Sequence, residues 1–268
     1  MSQRVELVII DPQVDFCDPD KGSLYVKGAE DDMTRLAKLI ESKGKKFKEI
    51  HVTLDCHNFV DGSHPCFWVD SNGINPPPFT IISNDDAKNG KWIPVFPQYR
   101  ERMLQYHEAL ETSGRYPLCI WPPHCLIGSV GNTVYPPLYE ALLKWESVRP
   151  WNVRYVSKGS NPFTEHYSAV KAEVPDPADA STQLNVDFIN TLMKADIIAI
   201  AGEAGSHCLA NSVRDISNGF GDDNAISKLV LLEDATSPVP GFEQFQVDFV
   251  KEMTARGMKI SNTVDFLA

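Results

Sequence analysis

Ile197-Ile198-Ala199-Ile200-Ala201-Gly202-Glu203-Ala204-Gly205-Ser206-His207-Cys208 is the stretch from which the fold can be read. The apolar run is long enough for one buried strand, and it ends in a turn of small residues. A cysteine follows at the first turn of a helix expected over Leu209 to Ser217. A thiol there faces unpaired N–H groups and the positive end of the helix dipole, which favour thiolate. Small residues let backbone N–H groups crowd around a substrate carbonyl, as an oxyanion hole requires. The segment equally suits a small buried cysteine at a tight turn, because cysteine is among the most buried residue types. A base and a cation elsewhere in the chain would decide between the two.

Outward from this strand and helix, the pattern repeats. Strands are expected at Val5 to Ile10, Ile50 to Leu54, Val153 to Val156 and Lys228 to Leu232, with a last edge strand at Lys259-Ile260-Ser261. Helical spacing appears at Asp31 to Ile40, Val186 to Met193 and Phe242 to Met253. Short apolar strands alternating with amphipathic helices imply a three-layer α/β/α, Rossmann-like fold with a mostly parallel sheet of about six strands. Ligands of such sheets bind beyond the carboxyl ends of the strands, near the topological switch point. Asp11, Asp55, Lys158 and Cys208 each sit at or just past such an end. The chain reads as one domain over 1–268. Its irregular insertion, at about Ser71 to Pro117, is rich in Pro, Asn and Asp and has one helical patch near Tyr99 to Leu110. It is expected to be a lid over the site or a surface excursion.

With 268 residues, 43% of them hydrophobic, the chain can bury a sizeable core. A net charge of −11 and a pI near 5.1 argue against a nucleic-acid or anionic-membrane surface. A small molecule or another protein is the expected partner. No apolar run approaches the ~20 residues of a membrane span, and no secretory signal is read at Met1 to Glu6. The six cysteines, Cys17, Cys56, Cys66, Cys119, Cys125 and Cys208, have no Cys-x-x-Cys spacing. Reduced thiols in a cytoplasmic compartment are expected.

A second constellation is Asp55-Cys56-His57, followed by His64 and, much later, by Trp121-Pro122-Pro123-His124-Cys125. Along a strand, Asp55 and His57 point the same way. One carboxylate with two or three imidazoles suits Zn²⁺, Fe²⁺ or Mn²⁺, whereas Asp-x-His alone also fits a solvated loop histidine.

Together these pieces resemble the nicotinamidase branch of the isochorismatase-like cysteine hydrolases. The match runs through Ile10-Asp11-Pro12-Gln13-Val14-Asp15-Phe16-Cys17, Gly22-Ser23-Leu24 and Gly28-Ala29. It continues through Asp55-Cys56-His57, Trp121 to Cys125, Ser157-Lys158-Gly159 and Gly202-Glu203-Ala204 to Cys208. The resemblance implies Cys208 as nucleophile, Asp11 as its base and Lys158 as the supporting cation. It implies a cis peptide at Glu203–Ala204 and an oxyanion hole from the Ala204 and Cys208 N–H groups. It also implies one divalent metal on Asp55, His57 and His124, with His64 as a fourth ligand or outer contact. In the family this metal holds a pyridine nitrogen and keeps water in its other positions. Phe16, Trp121 and Tyr167 would flank the ring. The implied reaction takes nicotinamide to nicotinate and ammonia through a thioester. Homo-oligomers are common in the family, although no interface is readable.

Some positions depart from the pattern. Glu203 stands where an apolar residue is usual, and an acid facing the site would raise the thiol pKa, so it is expected to point away. Gly205-Ser206-His207 also differs from the commonest turn. His207 invites a Cys–His dyad, but adjacent helix residues do not face each other. Cys125 could serve as a soft metal ligand. The alternatives are an amidase for a ureido, carbamoyl or maleamate-type substrate, relatives of which generally lack the metal trio, and a non-enzymatic binding module. A dinucleotide-binding protein is a further alternative, but no Gly-x-Gly-x-x-Gly follows the first strand.

Overall fold

The computed structural model describes residues 3–113 and 115–268. The chain starts with β1 (Val5–Ile10), the one-turn helix α1 (Val14–Cys17), α2 (Ala29–Lys43) and β2 (Phe47–Asp55). It continues with β3 (Trp68–Val69), β4 (Ile81–Ile82), α3 (Asn84–Lys88), β5 (Ile93–Pro94), α4 (Arg100–Ser113) and β6 (Leu118–Cys119). After α5 (Pro136–Ser147) and β7 (Arg154–Lys158) come α6 (Val186–Leu192), β8 (Ile197–Gly202) and α7 (Cys208–Phe220). The last elements are β9 (Leu229–Leu232), α8 (Glu243–Ala255) and β10 (Lys259–Ser261).

Six strands form one parallel sheet in the order β10-β9-β8-β1-β2-β7. All six residues of β1 are buried, because helices cover both faces of a parallel sheet and leave its central strands no wet side. α2 packs against α5, and α7 contacts both α6 and α8. The result is the three-layer α/β/α arrangement expected from the sequence. From β1 the chain builds outward through β2 to β7, then returns to β8 and builds the other way through β9 to β10. The direction therefore reverses between β1 and β8, and their carboxyl ends open the crevice in which such sheets bind ligands.

The junction is tight. Ile10 and Gly202 are paired across β1 and β8. Gly202 has φ 108°, and a Cβ on it would lie 2.1 Å from the Ile10 carbonyl oxygen. Only glycine allows this approach.

Two regions differ from the sequence reading. That reading assigns no element to Pro136–Ser147, where the structure has α5. The signal is present: Pro136 starts the helix, and Leu138, Ala141, Leu142 and Trp145 bury one face at helical spacing. Between Ser71 and Pro117 the chain is less irregular than expected. It holds α3, α4 and strands of two short antiparallel pairs, β3 with β5 and β4 with β6. Ile82, Met103, Tyr106 and Leu110 from it share a small separate apolar core with the flanking Phe67, Trp68, Leu118 and Ile120. Two-residue strands are too short for periodicity to reveal.

Gly202→Ala is expected to lower stability by about 3 kcal/mol, from positive-φ strain plus backbone displacement. Urea denaturation reads this directly, and an unmoved midpoint would show that the β1–β8 junction tolerates a side chain.

Candidate active site

The ends of three strands and the start of α7 converge on one ammonium group. Lys158, the last residue of β7, is almost fully buried. Its Nζ lies 2.9 Å from Asp11 Oδ2 and 3.0 Å from Asp55 Oδ1. It also donates to the His166 carbonyl at 2.9 Å and to Cys208 Sγ at 3.6 Å. Burial would lower the lysine pKa, but Asp11 and Asp55 outweigh it and hold the ammonium charged. Asp11, with φ 42° just past β1, takes the left-handed conformation that Asp tolerates better than most residues. Its N–H donates to Thr53 Oγ1 at 3.0 Å, and that hydroxyl donates back to Asp11 Oδ1 at 2.5 Å. Burial raises the Asp11 pKa, with Lys158 opposing, which makes Asp11 a stronger proton acceptor than a solvated aspartate.

Cys208 is the first residue of α7 and is buried. Burial pushes its thiol well above the ordinary range, although Lys158 pulls the other way. Burial and the helix dipole therefore act on this thiol in opposite senses, with Lys158 on the side of the thiolate. The Glu203–Ala204 peptide is cis. Among the described residues, neither the Ala204 nor the Cys208 N–H donates a hydrogen bond. Glu203 turns away from the thiol. Its Oε2 accepts the Ser237 N–H at 3.1 Å, and Ser237 Oγ donates to Asp32 Oδ2 at 2.6 Å. Burial, and then the neighbouring Asp32, push the Glu203 carboxyl well above the usual range. His207 pairs through Nδ1 with Ser206 Oγ at 2.9 Å, not with the thiol, so the dyad reading falls.

Beside this group, one side-chain ligand atom each from Asp55, His57 and His124 lie within 4.8 Å of one another, all buried. His57 Nε2 is 3.0 Å and His124 Nε2 3.5 Å from Asp55 Oδ2. His124 Nδ1 meets the Pro122 carbonyl at 2.9 Å, which leaves Nε2 for the cluster. Asp61 Oδ2 lies 3.2 Å from His57 Nδ1, and Asp61 Oδ1 accepts from Ser63. A carboxylate in this place would fix the orientation and tautomer of the His57 imidazole toward a metal. His64 stands outside the group of three. Its ring centroid is 5.2 Å from that of His57, and its buried Nε2 has no partner among the described residues. An orphaned imidazole nitrogen beside an Asp-His-His cluster fits a divalent ion with an outer histidine. Cys125 Sγ points to the Gly131 carbonyl at 4.0 Å instead.

The backbone of the cluster is clamped. Gln13 accepts the Asp55 N–H and donates to the Asp55 carbonyl, both at 2.7 Å. Asn132 Nδ2 donates to the same carbonyl at 2.7 Å, and Asp15 Oδ2 accepts the Cys125 N–H at 2.6 Å.

Phe16, Trp121, Tyr167, His124, Glu165, His207, Ala204, Val239 and Cys208 line one small cavity. Trp121 Nε1 donates to Tyr167 Oη at 3.1 Å. The volume of the cavity is about 30 Å³, room for roughly two waters against ~150 Å³ for a benzene-sized guest. Sequence reasoning missed Glu165, whose Oε2 is buried and unpartnered among the described residues and whose carboxyl burial pushes up to about 7. No spacing rule marks it. Asp61 also went unassigned, although it sits four residues after His57.

No protein-family model matches the chain, and no curated protein matches it in sequence. Solved structures do match. A nicotinamidase/pyrazinamidase of Acinetobacter baumanii aligns with TM-score 0.65 at 18% identity, over 98% of each chain. The yeast nicotinamidase bound to the inhibitor nicotinaldehyde gives 0.64 at 18%, over 96% of this chain and 99% of that one. A Pyrococcus horikoshii pyrazinamidase in complex with zinc gives 0.55 at 20%, over 97% and 99%. At such identities the likeness establishes a shared fold along nearly the full length.

Asp61→Ala is expected to weaken Zn²⁺ binding by about 10–100-fold, measured by competition with a chromogenic chelator; unchanged affinity would remove Asp61 as the orienting carboxylate. A carboxyl held protonated at Glu203 in the folded chain titrates near 4.3 when unfolded. Its contribution is full below that value and is lost as pH rises through the higher folded one. Glu203→Gln, which keeps an acceptor for the Ser237 N–H, should flatten this fall in stability toward alkaline pH. Parallel urea midpoints for parent and variant across the neutral range would mean that Glu203 is ionised in the fold.

Proposed function

We propose that the chain is a metal-dependent cysteine amidohydrolase that converts nicotinamide to nicotinate and ammonia, a step of pyridine-nucleotide salvage. One observation carries the reading. The thiol of Cys208 and the carboxylate of Asp11 meet at the buried Lys158 ammonium, which also touches Asp55 of the Asp55-His57-His124 cluster. A binding module has no need of such a costly buried arrangement. The sheet shared with nicotinamidases supports the same reading.

In the proposed reaction Asp11 removes the Cys208 proton and Lys158 steadies the negative charge. The sulfur adds to the carboxamide carbon. The carbonyl oxygen takes up charge facing the Ala204 and Cys208 N–H groups, worth ~10²–10³ in rate per donor in comparable sites. Protonated Asp11 passes its proton to the departing nitrogen, the C–N bond breaks and ammonia leaves. Water, deprotonated by Asp11, then cleaves the thioester and restores the thiol. Phe16, Trp121 and Tyr167 would flank the ring. A divalent ion on Asp55, His57 and His124 would act as a Lewis acid toward the ring nitrogen. The whole chain would act as one hydrolase domain, with 71–117 as an excursion that shares a small separate core with its flanks. All six cysteines are unpaired, which supports a reducing, cytoplasmic setting. Among the described residues, no helix is long and apolar enough to cross a membrane.

Purified protein is expected to release ammonia from nicotinamide, to lose that activity on chelation and to regain it with Zn²⁺, Fe²⁺ or Mn²⁺. Cys208→Ala should reduce turnover by about 10³-fold or more. Near-parental turnover by that variant would overturn the thiol mechanism, and a folded, metal-loaded protein without activity would overturn nicotinamide as substrate.

A further inference from the structure

Between β9 and α8 the segment Thr236-Ser237-Pro238-Val239-Pro240 has neither strand nor helix geometry. It still supplies part of the wall of the Cys208 cavity, through Val239. Its two prolines leave it few donors: of residues 237–240, only Ser237 and Val239 carry a backbone N–H. Side chains of the nucleophile turn receive both. Glu203 Oε2 accepts the Ser237 N–H at 3.1 Å, and Ser206 Oγ accepts the Val239 N–H at 3.0 Å. A third tie runs the other way, from the Gly205 N–H to the Ser237 carbonyl at 2.9 Å. A Cβ on Gly205 would lie 2.9 Å from Thr236 Oγ1, so the missing side chain lets the segment close onto the turn.

The Ser206 hydroxyl reaches a second wall residue. Burial lowers the His207 pKa to about 4, so at neutral pH its imidazole is uncharged. With the Val239 N–H on its lone pair, Ser206 Oγ gives its own proton to His207 Nδ1 at 2.9 Å. His207 and Val239 line the same cavity. Phe242 extends this wall, since its N–H donates to the Val239 carbonyl at 2.9 Å and its ring centroid lies 4.9 Å from that of His207. Glu203 and Ser206 are themselves fully buried, and both stand at positions that depart from the nicotinamidase pattern.

We infer that Glu203 and Ser206 are positioning residues that clamp the 236–240 segment over the nucleophile turn and so set how bulky an amide can reach Cys208. Neither takes part in the bond changes proposed above. They act through Val239 and His207. With the clamp closed, the space favours a small primary amide; with it loosened, amides substituted on nitrogen gain access. The role rests on the reading of Cys208 as the nucleophile.

Alkylation of Cys208 tests the clamp, with iodoacetamide and the bulkier N-benzyliodoacetamide as probes. Peptide mass spectrometry reads both rates, each corrected for the reagent's rate with free cysteine. The parent should prefer the small reagent. Ser206→Ala, which deletes one buried hydrogen bond, should cut that preference about tenfold, and Glu203→Leu should act alike. Glu203→Gln, which keeps an acceptor for the Ser237 N–H, should hold the parental preference. Val239→Ala trims the wall without touching either tie and should lower it. A change in thiol ionisation alone would move both rates together and leave their ratio in place. A parental ratio in both Ser206→Ala and Glu203→Leu, or a ratio as low in Glu203→Gln as in Glu203→Leu, would overturn the inference. Alkylation needs no turnover, so a failed clamp leaves the ammonia-release result untouched, and absent ammonia release leaves the clamp standing.

Discussion

The site depends on a single buried cation. Taking an ammonium out of water costs several kcal/mol, and the cost is offset only where opposite charges meet it at close range with good geometry. Lys158 is met by Asp11, Asp55 and a backbone carbonyl at 2.9 to 3.0 Å. These groups come from the ends of β1 and β2 and from the loop after β7, and the lysine itself ends β7, so one charge ties three strand ends and a loop together. If either carboxylate were absent, the cation would be left uncompensated in a dry interior. The same ammonium ties the two halves of the proposed chemistry together, since it touches Asp11 and the thiol on one side and Asp55, beside the imidazoles, on the other.

Much of this was legible in the sequence because a parallel sheet puts its chemistry at strand ends. Asp11, Asp55, Lys158 and Cys208 each close an apolar run or follow it. What stayed hidden lacks a periodic signal. Lys158 meets His166 through a backbone carbonyl, which any residue would supply. Glu165 lies in an irregular stretch where spacing carries no direction. Asp61 was visible as a residue, but its role behind His57 is a fact of tertiary distance. At Cys208 the dipole of α7 can be read from sequence, whereas the depth of burial that opposes it cannot.

The excursion over residues 71–117 shows a similar limit. Its loop-rich composition is real, yet Trp68, Tyr106 and Leu118 come together from well-separated positions to bury a common core. Paired strands of two residues leave no pattern, so only the longest element, α4, showed through.

The small volume around Cys208 has a further consequence. Cys208 is 7% exposed, and the space beside it is about 30 Å³, room for roughly two waters. A covalent adduct on the sulfur would fill most of that room. A dissolved thiol or amine would find little space for its approach, so crowding at the sulfur favours water over bulkier nucleophiles.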